Sequence, residues 1–156
     1  MFAKVWPVAT LTLATLSFGP SFAHALEAAP RLTRWPAQLW IDATVLHGQF
    51  ALFRLIGGPI DVAAILAAAA LAWRFRGERG FGAAVTGAVF MALALVAWFG
   101  IVAPANDVLA TWRPGPPPPE FAAVRNRWEA GHMTVAALKF IGVVALHWAL
   151  AARAWR

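Results

Sequence analysis

Two short patterns in the chain pair an imidazole with a carboxylate at helical spacing. Glu129-Ala130-Gly131-His132 sets a carboxylate three residues before a histidine, and His24-Ala25-Leu26-Glu27 is the same pair reversed. On a helix, residues i and i+3 share a face, so each pair offers both groups to one neighbour. Glu-x-x-His on inward helix faces is the spacing of di-metal carboxylate bundles. His24, Glu27, Glu129 and His132 together supply two nitrogen and two oxygen ligands, a set suited to one Fe, Zn, Cu or Mn ion. A di-metal set needs more carboxylates, and Asp42, Asp61 and Asp107 lack the spacing. The same residues also suit metal-free acid–base work, an imidazole taking the proton of a phenolic substrate. The plainer alternative is polar residues at helix ends, with Glu129 in a first turn facing the helix dipole and Glu27 paired with Arg31 at i+4.

Other polar residues fall at related depths. Lys139 follows His132 by seven residues, two turns on and nearly on the same face. A lysine that far inside an apolar span faces the protein and finds a partner. Asp61, ~18 Å from the Trp73 end of its own segment, is the expected one. Such a pair either fixes helix register or handles protons. His47, Arg54 and Asp61 recur every seven residues and line one side if their helix is continuous. His47 is then a third imidazole near the cluster or a solvated side chain. Asn106 follows Pro104 at the end of an apolar segment, where it orients a substrate or caps the chain's exit. His147 lies at the far end and is expected to be structural.

The elements that position these groups are membrane helices. The chain of 156 residues is 61% hydrophobic and 13% charged, where a soluble domain has about a quarter charged. A bilayer core of ~30 Å needs about 20 helical residues. Segments 5–25, 81–102 and 131–152 meet that length. The second span, 53–73, is assembled from an outer amphipathic helix at 37–56 and an apolar run kinked at Gly57-Gly58-Pro59. The expected fold is all-α: a single antiparallel, up-down four-helix membrane domain covering 1–156, with a Pro-rich outer loop at 104–127.

Charge sets the orientation. Lys4, Arg74, Arg76, Arg79, Arg153 and Arg156 face only Glu78 on one side. Arg31, Arg34, Arg54, Arg113, Arg125 and Arg127 are balanced by Glu27, Asp42, Asp107, Glu120 and Glu129 on the other. The positive-inside rule places both termini in the cytoplasm, as expected for a bacterial inner-membrane protein. Tryptophans at both span ends, Trp155 among them, fit interfacial belts. Retention of 5–25 as a span competes with cleavage as a signal peptide at Ala23-His24-Ala25. The formal charge of +6 forms no Lys/Arg stripe, so nucleic acid is not an expected partner. The chain has no Cys and no Tyr, which excludes disulfides, thiolate haem ligation and tyrosyl radicals. It also has no P-loop or dinucleotide fingerprint.

Ile101-Val102-Ala103-Pro104-Ala105-Asn106-Asp107-Val108-Leu109, then Trp112, then Arg127-Trp128-Glu129-Ala130-Gly131-His132, resembles the second half of the anthrone-oxygenase-like membrane proteins. In that family an apolar third helix ends in Pro-x-Asn and a Trp-x-x-His element opens the fourth. Ala23-His24-Ala25-Leu26-Glu27 fits the end of the first helix. Many relatives carry an Arg just after the fourth-helix His, where this chain has Met133 and Thr134. The resemblance implies a four-helix membrane fold and oxidation of a polycyclic aromatic substrate, with Asn106, Trp128, Glu129, His132, His24 and Glu27 at the site.

Two functions follow. One is a membrane oxidoreductase or oxygenase acting on a lipophilic molecule, with His132, Glu129, His24 and Asn106 as catalytic groups and His47, Asp61, Lys139 and Trp128 in support, with or without a metal. The other is a non-catalytic membrane module, an accessory subunit or a carrier of a lipophilic ligand or metal.

Overall fold

The computed structural model describes residues 2–48, 50 and 52–154, and the side chains of 5–48, 50, 52–53 and 55–153. The parts of the charge and Trp patterns that rest on Lys4, Arg54, Trp155 and Arg156 lie outside these. The described residues form helices and connections, without strands. In chain order the α-helices are α1 (Phe2–Thr33), α2 (Ala37–Ile41), α3 (Gly58–Arg74), α4 (Phe81–Ala97), α5 (Ala103–Leu109) and α6 (Phe121–Ala154). Three π-helical turns, Asp42–Leu46, Phe53–Gly57 and Trp98–Val102, follow α2, precede α3 and join α4 to α5.

Among the described residues, three apolar runs are long enough to cross a membrane: Leu55–Arg74, Phe81–Leu109 and Phe121–Arg153. Their outer faces carry exposed Leu66, Val96, Phe99, Phe140 and Trp148, a surface suited to lipid rather than water. The chain is therefore an all-helical membrane protein. α1 is the longest helix but one, and is not among the three. Thr10, Thr12, Thr15, Ser17 and Ser21, with Pro7 and Pro20, dilute its apolar character.

α1 packs on α3 and α6, and α4 packs on α3 and α6. Neighbours run antiparallel, since Ser17 meets Asp61 while Thr10 meets Ala67. The end where α1 finishes and α6 begins is here the upper end. Small residues bring the helices close. A Cβ on Gly87 would sit 2.6 Å from the Leu146 side chain, and one on Gly142 would press on Met91 at 3.1 Å. At the lower end Gly80, with φ +84°, turns the chain against the Ala149 backbone, and Arg153 pairs with Glu78. The lower core is Ala14, Ala64, Ala68, Leu71, Phe75, Met91 and Leu146. The upper core is aromatic: Trp40, Trp112, Phe121 and Trp128 around Val102 and Leu109.

Several boundaries differ from those expected. α6 starts at Phe121, ten residues before 131 and separated from the proline run by one residue. Arg125, Arg127 and Glu129 had masked this start, because they lower the local hydropathy. Glu129 therefore lies more than two turns inside α6 and is not a first-turn residue. The third segment continues past Pro104 to Leu109. Pro104 sits in the first turn of α5, behind a π-helical turn, where a missing N–H disturbs least. The loop thus shrinks from 104–127 to 110–120. The amphipathic helix expected at 37–56 is broken. Gly48 adopts φ +63°, a left-handed conformation that ends a helix, so His47 and Asp61 do not share a continuous helical face.

Candidate functional site

The upper end of the α1–α6 interface gathers the two Glu/His pairs. His24 is 5% exposed, Glu129 fully buried and His132 half-buried. The two imidazoles stack face to face, centroids 4.3 Å apart and planes 17° from parallel. Trp128 stands edge-on to both, at 5.4 Å from His24 and 4.2 Å from His132. Phe50 and Phe53 close the other side of His24 at 4.5 and 5.4 Å. These rings pack on one another as an aromatic wall around the two imidazoles.

Arg31 organises the polar side. About one turn beyond Glu27 on α1, it is 1% exposed. Its Nη2 donates to Glu129 Oε2 at 3.2 Å and to the His24 carbonyl at 3.3 Å. Its Nη1 donates to Glu27 Oε2 at 3.2 Å. Nη2 also lies 3.3 Å from His24 Nδ1. A guanidinium has donors only, so in this contact Nδ1 is the accepting side. Trp40 Nε1 donates to Glu129 Oε1 at 2.9 Å. The carboxylate thus has a cation and an indole donor, which a fully buried charge requires. Among the described residues, nothing hydrogen-bonds to the His132 ring.

The four residues expected as metal ligands do not surround a common point. Both carboxylates turn onto Arg31, and a guanidinium occupies the position between His24, Glu27 and Glu129 that a cation would take. Among the described residues, no group of three or more His, Asp or Glu is placed to hold a metal ion. The donor set does not fit the Fe, Zn, Cu or Mn site that the spacing suggested. The Glu27–Arg31 pair is the i+4 alternative that the spacing offers; the contact from Arg31 across to Glu129 is one that spacing alone does not show.

Asn106 also takes a different place. Its Oδ1 accepts from Trp128 Nε1 at 2.9 Å, so it orients the indole wall. His47 is exposed, beyond the helix break. His147 is exposed and its Nδ1 rests 2.8 Å from the Val143 carbonyl. Asp107 is exposed, and Asp42 is bonded to Gln38 at 2.8 Å.

About two turns below the imidazoles, Lys139 Nζ donates to Asp61 Oδ1 at 2.7 Å and to the Ser17 carbonyl at 3.1 Å. Ser17 Oγ donates to the same Asp61 oxygen at 2.7 Å. Lys139 and Asp61 are thus brought together, with Ser17 as a third member that the sequence reading did not single out. Arg31 and Trp40 were likewise not placed at the centre. A signal for two of the three lies in α1: Thr10, Ser17, His24 and Arg31 stand seven apart, and all are at most 5% exposed. That spacing puts them along one side of a helix every two turns. No protein-family model, no curated protein and no solved structure matches this chain.

Proposed function

We propose that the chain is a four-helix integral membrane protein, with α1 as the fourth span beside the three apolar ones and both termini in the cytoplasm of a bacterial cell. We propose further that it is an oxidoreductase of the anthrone-oxygenase-like kind, oxidising a lipophilic aromatic substrate at the upper site. The observation that supports this reading is the stacked His24–His132 pair, walled by Phe50, Phe53 and Trp128 and backed by the buried Arg31–Glu129 pair.

In this reading no metal takes part. The substrate slides from the bilayer against the aromatic wall. His132, with its ring nitrogens uncommitted among the described residues, takes a proton from a phenolic or enolisable group. The resulting electron-rich anion reacts with dioxygen. An activated CH2 becomes C=O: one oxygen atom stays in the product, and the other leaves as water with the two hydrogens. Arg31 faces the negative charge that develops, and Glu129 holds Arg31 in place.

Oxygen uptake by the detergent-solubilised protein with anthrone as substrate tests this. Uptake with stoichiometric quinone, falling at least 100-fold in His132→Ala with helicity unchanged, supports it. Uptake equal in wild type and variant, or absent from both, sinks it. A non-catalytic carrier is the second reading, favoured by the closure of the site, with Glu129 fully buried and His24 nearly so. Retention of an aromatic ligand without turnover would select it.

A further inference from the structure

The two carboxylates on Arg31 are held very differently. Glu129 is fully buried, lies within 3.2 Å of two guanidinium nitrogens, and receives the Trp40 indole bond. Glu27 is 54% exposed and touches Nη1 alone, at 3.2 Å. An ion pair with one partner in solvent is weak. Among the described residues Nη1 has no other acceptor, and the buried Nε makes no hydrogen bond although Glu129 Oε1 lies 3.0 Å away. A guanidinium offers five donors in a fork shaped for a planar acid, and here part of that fork is unused. Its carbon also lies 5.6 Å from the Phe50 ring and 5.4 Å from the Trp128 ring, so an anion on it would sit beside the aromatic wall.

We propose that Arg31 Nη1 is the anion anchor of this site and that Glu27 is a displaceable stand-in for the acidic group of a flat aromatic acid, a carboxylate or phenolate. The inference rests on the reading of the site as one for lipophilic aromatic molecules, and adds the charge of the ligand. The exchange conserves charge at Arg31, one anion leaving for solvent as another enters. Glu129 stays, because moving it would strand a buried cation. A neutral ring meets the same wall but gains nothing from Nη1, so an acid and its uncharged isostere should part company at Glu27.

The experiment is equilibrium dialysis of 2-naphthoate and of uncharged 2-naphthamide against the full chain in detergent, with empty micelles as blank, for wild type and Glu27→Gln. Removing the competing carboxylate is expected to tighten naphthoate about tenfold while naphthamide changes less than twofold. Arg31→Gln combined with Glu129→Gln, which strands no buried charge, is expected to bring naphthoate down to the level of naphthamide. Naphthamide binding with naphthoate no tighter in Glu27→Gln would overturn the displacement and leave an aromatic site. Binding of neither ligand to either protein would overturn the aromatic reading as well. Because Glu27 is exposed, its variant should keep the wild-type melting temperature, which separates these outcomes from misfolding.

Discussion

Arg31 Nη2 and Glu129 Oε2 meet at 3.2 Å across the α1–α6 interface, and neither side chain is more than 1% exposed. Removing one member of a buried pair strands the other's charge, at a cost of about 3–5 kcal/mol. Glu129→Ala should therefore lower stability in detergent by roughly that amount. Arg31→Met with Glu129→Ala should recover most of it, since neither buried charge remains. A double-mutant cycle from thermal or denaturant unfolding measures the difference. A double variant no more stable than Glu129→Ala would show that the pair itself supplies the stability.

Trp40 Nε1 donates to the same carboxylate at 2.9 Å, from a ring with no exposure. Trp40→Phe keeps most of the ring and deletes the donor. Hydrogen bonds to charged groups contribute about 1.5–3 kcal/mol, so the variant should lose about that much. The loss should disappear in a Glu129→Met background, where the acceptor is gone. An equal loss in both backgrounds would assign the effect to packing.

How much of this was legible in the sequence depends on the signal. The apolar runs behind three crossings stand out, because a bilayer demands length and hydropathy that composition displays openly. The partnership of Lys139 with Asp61 follows from depth alone, since a buried ammonium has few places to go. The start of α6 was hidden because its first turns mix Arg125, Arg127 and Glu129 with apolar residues. Arg31 was hidden for a different reason. Its i+4 pairing with Glu27 is legible, but its burial depends on Trp128 and Glu129 of α6 and on Phe50 closing around it. The seven-residue repeat that contains it is polar, and a search for apolar periodicity passes over it.

Lys139 and Asp61 should behave as a coupled pair. Lys139→Met leaves Asp61 with Ser17 as its sole partner among those described, and Asp61→Asn leaves the ammonium with an uncharged one. Each single change should destabilise the protein, whereas Lys139→Met with Asp61→Asn should cost less than the sum of the two. Unfolding of the four proteins gives the coupling energy. Strict additivity would mean that the two charges do not depend on each other.

The chain has no cysteine, so single cysteines report topology without background. Arg76→Cys lies in the exposed lower turn between α3 and α4, and Glu120→Cys is exposed just before α6. If both termini are cytoplasmic, a membrane-impermeant maleimide added to intact cells should label the Glu120 variant and spare the Arg76 variant until the membrane is opened. An even number of crossings is what puts the two termini on one side. A cysteine at Lys4 should therefore behave like the one at Arg76 if α1 spans the bilayer. Labelling at position 4 in intact cells, with position 76 still protected, would mean that α1 does not cross. The chain would then have three spans, and the upper site would lose the membrane helix that carries His24 and Arg31.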